Sequence, residues 1–308
     1  MKEQINKLVK FADKDGVFSN VCVDGGEMIV QNRTCGAIYH VDYNYSFCCD
    51  AKKLNNIMNS CKNEYDLKTT DKSVIIKSGS CKSKAEVINV SEYPMINFDA
   101  PIWIPVGVGF LDRLKKLSKF ADKDDVRVYF QGVNLTDDGY LEASNGHVVV
   151  REYIGVEMDN SVIIPITTID KMDQEITDIF VDDKTIYFKF DGGLFFSRVI
   201  DTKYPDVKKV IKDMESETAI GLLEEPIKSI AKFCDHSGTV IIGSEISNRD
   251  KSTTIEGFDF PDCAFNVNYL LKLFDVGIES IDLDSFISGS ISQFKGENIT
   301  GAISGIKT

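Results

Sequence analysis

Histidine is scarce in this chain. There are three in 308 residues, His40, His147 and His236. None sits in a motif with a serine, cysteine or carboxylate that would make a nucleophile and base, so catalysis has no visible centre. The eight cysteines contain no C-x-x-C pair, and Cys48 and Cys49 are simply adjacent. That spacing excludes ordinary zinc ligation and reads as reduced, largely buried thiols. No metal and no cofactor is expected. No apolar run is long enough to span a bilayer. The segment Met1 to Lys7 is too polar for a signal peptide, so the expectation is a cytoplasmic protein without membrane contact. Positive charge is short as well: 35 Lys and Arg against 48 Asp and Glu give −13. Such a balance ordinarily argues against a nucleic-acid partner.

What the chain does have is repetition. Leu8-Val9-Lys10-Phe11-Ala12-Asp13-Lys14-Asp15 returns as Leu117-Ser118-Lys119-Phe120-Ala121-Asp122-Lys123-Asp124 and, degraded, as Ile230-Ala231-Lys232-Phe233-Cys234-Asp235-His236-Ser237. The phenylalanines are 109 and 113 residues apart. A period of that size is a domain, not a solenoid turn. A second mark follows each phrase: Ala51–Met58, Ile166–Met172 and Val267–Phe274 each have a short amphipathic helix pattern. Glu92-Tyr93-Pro94 and Lys203-Tyr204-Pro205 close the first two repeats, their tyrosines 111 residues apart. Three domains are therefore expected, at 1–98, 99–211 and 212–308.

The middle repeat gives the clearest pattern. Leu111, Leu114, Leu117 and Phe120 form an apolar stripe on a helix expected over 110–123. Strands are expected at 126–130, 133–136, 140–143 and 148–153, with Asp138-Gly139 as a turn. A second helix is expected over 166–175, then strands at 179–181, 185–190 and 194–200. The order helix, strands, helix, strands makes each domain a doubled half-motif of α+β class, its strands antiparallel.

The acidic total hides an uneven distribution. Six helix segments, 2–14, 51–62, 110–123, 166–175, 223–233 and 266–275, hold 16 basic and 10 acidic residues. Their net +6 leaves −19 for the rest of the chain. If all six face one way, that face is positive and everything else strongly negative.

Local segments then resemble a known family. Leu194-Phe195-Phe196-Ser197-Arg198-Val199-Ile200-Asp201-Thr202-Lys203-Tyr204-Pro205-Asp206-Val207 resembles the T-x-x-S-[RK]-L-[IV]-D-G-[RK]-F-P-D-Y segment of the bacterial-type DNA sliding clamp, the beta subunit of DNA polymerase III. Asp125 to Val133 is similar to its D-V-R-Y-Y-L-N-G-V, and Ala143-Ser144-Asn145-Gly146-His147 to its A-T-D-G-H. Val162–Pro165, Ala51–Leu54 and Phe265–Leu271 resemble the segments at its second helices. There are departures: Val148 stands where an Arg is expected, and the tail Ile303–Thr308 lacks M-P-M-R-L. The chain reads as a compact, divergent version, of the kind a phage or other mobile element carries.

The resemblance implies three tandem clamp domains, antiparallel sheets outside and two short helices per domain inside, closed into a ring as a homodimer. It implies a non-catalytic processivity factor whose partners are double-stranded DNA, a replicative polymerase, a clamp loader and other proteins with clamp-binding motifs. Positive helices would hold phosphates without reading bases, so the ring slides. The DNA-facing residues expected are Lys7, Lys10, Lys14, Lys52, Lys53, Arg113, Lys116, Lys119, Lys123, Lys228, Lys232 and Lys272. The expected partner-peptide cleft comprises Phe130, Ser144, Gly146, His147, Val148, Val149, Pro205, Lys209, Val210, Phe286, Ser288, Ser304 and Ile306. Ring closure is expected through Ala85 and Val87 on one copy and Phe233 and Cys234 on the other. The alternative is a clamp-like binding module, or decoy, that takes clamp partners without encircling DNA.

Overall fold

A computed structural model describes residues 1–308 apart from 63, 97–101, 235–237, 249–250, 255–260, 285–289 and 308. The chain divides into two compact units, 1–111 with 170–199, and 112–169 with 200–308.

The first unit is built on an eleven-stranded sheet. Its order is Asp66–Thr70, Ser73–Ser78, Cys81–Ile88, Phe47–Asp50, Asn20–Asp24, Glu27–Gln31, Cys35–His40, Gly193–Arg198, Thr185–Phe190, Ile176–Asp182 and Ile104–Pro105. Every adjacent pair is antiparallel. Strands from the first repeat and the end of the second thus share one sheet, joined where Gly36 lies opposite Phe196 and Cys35 opposite Ser197. Helices α1 (Lys2–Leu8) and α2 (Ala51–Ser60) pack together beside this sheet. Helix α2 starts because the Asp50 carboxylate accepts from the Lys53 amide at 2.7 Å. It buries Ala51, Leu54 and Met58 and leaves Lys52, Lys53, Asn56 and Asn59 exposed.

The second unit holds an eight-stranded sheet in the order Val162–Pro165, Gly132–Leu135, Asp138–Ser144, Val148–Glu157, Ile299–Ser304, Ile291–Lys295, Ser280–Ile281 and Thr218–Ala219. A four-stranded sheet runs Ser252–Thr254, Glu245–Ser247, Thr239–Ile242 and Cys263–Asn266. The repeats meet here with the same register: Val149 lies opposite Ala302 and Val148 opposite Ile303. Helices α5 (Gly221–Ala231) and α6 (Val267–Asp275) pack together, and Asn266 caps α6 as Asp50 caps α2. The two internal junctions are therefore built alike, one inside each unit.

Several elements differ from the sequence reading. Helix α3 stops at Ser118 (Phe110–Ser118), and the apolar stripe Leu111, Leu114, Leu117 and Phe120 is buried as expected. Helix α4 is a single turn, Ile166–Ile169, where 166–175 was expected. The strand expected at 126–130 is not formed; its residues 128–130 lie in a 3₁₀ turn, Val128–Gln131. Val126 and Val128 point to solvent while Phe130 alone is buried. The β-branched run satisfies strand propensity without a sheet neighbour to pair with, and propensity loses.

Candidate functional site

A hairpin corner in the second unit builds a cavity. Strands Asp138–Ser144 and Val148–Glu157 are joined by Asn145-Gly146-His147. The Asn145 side-chain oxygen accepts from the amides of His147 at 3.0 Å and Val148 at 3.1 Å. Gly146 sits at φ +86°, a left-handed conformation that glycine adopts freely. A Cβ there would run into the Arg127 guanidinium. Arg127 is held by Asp125 (2.9 and 2.7 Å), donates to the Asn145 carbonyl at 3.1 Å, and lies 4.5 Å over the Phe130 ring. Its hydrogen bonds hold the Asp125 carboxyl down to about 2.

The cavity has a volume of about 240 Å³. Nine of the thirteen expected cleft residues line it: Phe130, Ser144, Gly146, His147, Val148, Val149, Pro205, Val210 and Ser304. Asp206, Val207, Ile291 and Ala302 complete it and were missed by the sequence reading, as was Arg127 at its rim. Lys209 points away, exposed and 3.5 Å from Asp206. Ile306 is half-buried and donates its amide to the Ala264 carbonyl. Phe286 and Ser288 lie outside the described residues. With Val148 only 2% exposed where an Arg was expected from the resemblance, the floor is apolar. His147 lines the cavity and stacks on Tyr269 at 6.1 Å.

The wall formed by residues 204–210 is fastened to the hairpin. Tyr204 packs against Phe130 at 6.1 Å, and its burial pushes its hydroxyl pKa up. Lys208 reaches Asp138 at 2.8 Å. Arg151 bridges Asp138 at 3.0 Å and Glu142 at 2.9 Å, with its guanidinium 3.3 Å over the Tyr140 ring. Burial raises the Glu142 pKa against its bonds from Asn134 and Arg151. Asp138, despite partial desolvation, is held at about 2 by Lys208, Thr136 and Arg151.

The register explains why an opening forms at this junction. In the first unit the equivalent pair is Gly36 and Phe196, and the Phe196 ring lies against the bare glycine. Phe196 is buried there with Tyr93 and Tyr187. In the second unit the pair is Val149 and Ala302. A methyl group stands where the other junction has a benzyl group, and Val149 and Ala302 both line the cavity.

The expected DNA-facing residues fall into two groups. Lys7 pairs with Glu3 (2.7 Å), Lys10 with Asp173 (2.6 Å), Arg113 with Glu152 (3.6 Å), Lys119 with Asp275 (3.1 Å) and Lys228 with Glu224 (2.5 Å). Lys272 donates to the Lys119 carbonyl at 2.6 Å, and its desolvation lowers its pKa. Lys14, Lys52, Lys53, Lys116, Lys123 and Lys232 are exposed and have no ion pair among the described residues.

Of the expected closure residues, Ala85 is buried and Val87 half-buried on Cys81–Ile88. Phe233 is 50% exposed, with the Lys251 ammonium 4.7 Å from its ring. Cys234 is half-buried, and the Asn248 amide approaches its sulfur at 3.6 Å. His40 faces Glu27 at 3.9 Å, and His236 lies outside the described residues. Among the described residues no cluster of three or more His, Cys, Asp or Glu could hold a metal, and no helix is long and apolar enough to cross a membrane.

No family profile matches the chain. Among curated proteins it is similar to the beta sliding clamp of Bacillus subtilis, 26% identical over 166 residues, which is 49% of this chain and 44% of that one. The beta sliding clamp of Halalkalibacterium halodurans is 26% identical over 164 residues, 47% of this chain and 43% of that one. These matches span less than half the length of the relatives. Among solved structures, the Helicobacter pylori beta clamp bound to a DNA ligase peptide superposes with a TM-score of 0.84 at 17% identity, covering 99% of this chain and 97% of that one. A Pseudomonas aeruginosa sliding clamp bound to griselimycin gives 0.84 at 17% identity, covering 100% and 97%. The Bacillus subtilis clamp structure gives 0.84 at 15% identity, covering 99% and 96%. A divergent sequence thus carries, over nearly its whole length, the fold of the bacterial beta sliding clamps.

Proposed function

We propose that this chain is a DNA polymerase processivity factor: a non-catalytic clamp of three tandem domains that closes as a homodimer around duplex DNA and tethers a polymerase, a loader and other partners through the 240 Å³ cleft. The observation that carries the reading is a pair of matching open strand edges. At each internal junction, the third strand of one repeat pairs with the last strand of its neighbour, Cys35–His40 with Gly193–Arg198 and Val148–Glu157 with Ile299–Ser304. The corresponding strands left over are Ser252–Thr254, which among the described residues pairs only with Glu245–Ser247, and the stretch Cys81–Glu86, which among the described residues pairs only with Ser73–Ser78. Unpaired edges invite a second chain, and two copies joined head to tail twice make a closed ring.

The register follows from the same lattice. Thr253 holds the position of Glu152, each opposite an inner-strand residue, Ile246 or Leu141. Glu152 pairs with Ile299. Ile299 corresponds to Cys81, because Ile306 meets Ala264 as Ile88 meets Cys48. Thr253 of one copy therefore lies opposite Cys81 of the other. The exposed Lys14, Lys52, Lys53, Lys116, Lys123 and Lys232 supply sequence-independent phosphate contacts, and an acidic remainder discourages binding elsewhere. The test is retention on DNA after loading. A topological clamp stays on circular DNA and runs off when the circle is cut; equal loss from both forms refutes encirclement.

The decoy reading draws support from Lys7, Lys10, Arg113, Lys119 and Lys228, whose charges are spent on the chain's own carboxylates. It requires peptide binding with no retention on circles.

A further inference from the structure

Inside the chain, both junctions carry a clasp of charged side chains between helix ends. In the first unit, Lys10 donates to Asp173 at 2.6 Å, and the Lys171 ammonium lies 5.6 Å from the Phe11 ring. In the second, Lys119 donates to Asp275 at 3.1 Å, and Lys272 donates to the Lys119 carbonyl at 2.6 Å. The positions correspond. Lys10 and Lys119 precede Phe11 and Phe120 in the repeated phrase, and the third lysine of the set is Lys232 before Phe233. Lys171 and Lys272 stand six residues past Pro165 and Asn266, the residues that lead into α4 and α6. Asp275 stands nine past Asn266, while Asp173 lies on the turn that follows the shorter α4.

In the first repeat the corresponding helix is α2, which follows its cap Asp50. Six and nine residues on stand Asn56 and Asn59. Both the second lysine and the acid of the clasp are replaced by neutral amides. Asn59 is exposed and tied to its own chain, exchanging hydrogen bonds with Asn6 at 2.8 and 3.2 Å. Lys232 is exposed and without an ion pair among the described residues.

We propose that the seam between two copies lacks this clasp: Lys232 of one copy meets Asn56 and Asn59 of the other, and Asn59 keeps the seam weaker than the two junctions inside the chain. The inference rests on the two-copy ring reading and adds to it where the ring parts. The cation left uncompensated faces a helix that carries Lys52 and Lys53 and no acid. Phosphates of enclosed DNA are the neutralising charge that remains available to it.

The test is the dimer dissociation constant of the full chain, measured by sedimentation velocity over a dilution series at low ionic strength. Asn59→Asp supplies the missing acid where Asp275 already stands in its own helix. It adds one exposed ion pair at each of the two seams and is expected to tighten the dimer about two- to thirtyfold. The gain should vanish in high salt and in the Asn59→Asp, Lys232→Ala double variant. The swapped pair Asn59→Lys, Lys232→Asp should recover it, and Asn59→Ser, which loses the Asn6 bonds without adding charge, should not. A dimer of unchanged affinity in Asn59→Asp, or a gain that survives Lys232→Ala, overturns the seam assignment and leaves the ring reading standing. A folded chain that stays monomeric at every concentration overturns the ring reading itself.

Discussion

At one pair of facing positions the first internal junction sets Gly36 against Phe196 and the second sets Val149 against Ala302, and transplanting the first pair into the second should close the cleft. The perturbation is Val149→Gly with Ala302→Phe, which installs in the second unit the Gly36 and Phe196 arrangement of the first. Both changes are needed, because the Phe196 ring occupies the volume that a Cβ on Gly36 would fill. The new ring enters the cavity lined by Phe130, Val148 and Val207. Burying it there is favourable by roughly 1.5–3 kcal/mol. That offsets the lost valine side chain and the roughly 0.5–1 kcal/mol cost of glycine in a strand. Folding stability should therefore change little. A partner peptide loses the same pocket. One bulky apolar anchor excluded from it forfeits about 2–3 kcal/mol, which is roughly a 30- to 150-fold loss of affinity. The assay is fluorescence anisotropy with an extended peptide bearing two adjacent bulky apolar residues, run beside urea unfolding. If the variant folds with an unchanged midpoint and binds within about threefold of the parent, the cavity is not the peptide site.

Other expectations follow from single contacts. Tyr93→Phe removes the hydroxyl that accepts from the buried Gln31 amide at 3.2 Å; stranding that amide should cost about 1–2 kcal/mol in urea unfolding. Asp138→Asn should loosen the cleft wall at neutral pH. The Asp138 pKa in the folded chain, about 2, lies below its unfolded value, so the stability it adds is present above about pH 4 and lost as pH falls toward 2. Being partly exposed it is worth at most about 1 kcal/mol, and the gap between parent and variant should close over that window. Charge reversal of the unpaired Lys116 and Lys123 should flatten the salt dependence of DNA binding by about 0.9 in log–log slope for each phosphate contact removed. Reversal of Lys10, already held by Asp173, should flatten it less.

The repeated Lys-Phe phrase made the architecture legible, because the first two repeats use its phenylalanine as a core residue at a helix end: Phe11 and Phe120 are both fully buried, while Phe233 of the degraded third copy is 50% exposed. The resemblance around Asn145-Gly146-His147 brought nine cleft residues together, since a hairpin corner is encoded locally. What stayed hidden depends on register. Ala302, Ile291 and Val207 reach the cleft only through strand pairing and a turn that no local pattern announces. The alignment of Phe196 with Ala302 is a signal that could have located the opening, once the junction strands were paired. Helix α4 read too long because Asp170 to Glu175 keep helical composition after the helix has ended. The charge count treated every helix lysine as available, and side-chain reach decided otherwise for Lys10, Lys119 and Lys272.

The central claim is closure of two copies through Ser252–Thr254 and Cys81–Glu86, and a disulfide across that register tests it most directly. Cys81 is the exposed native thiol, while the other cysteines are buried or half-buried. Thr253→Cys places a second thiol opposite it. Under mild oxidation the expected product is a covalent species at twice the 34.4 kDa chain mass, reversed by reductant, abolished by Cys81→Ser, and retained on circular DNA once loaded. Failure to cross-link in a sample that light scattering shows to be dimeric would contradict the register. A mass of one chain at all concentrations would contradict the ring.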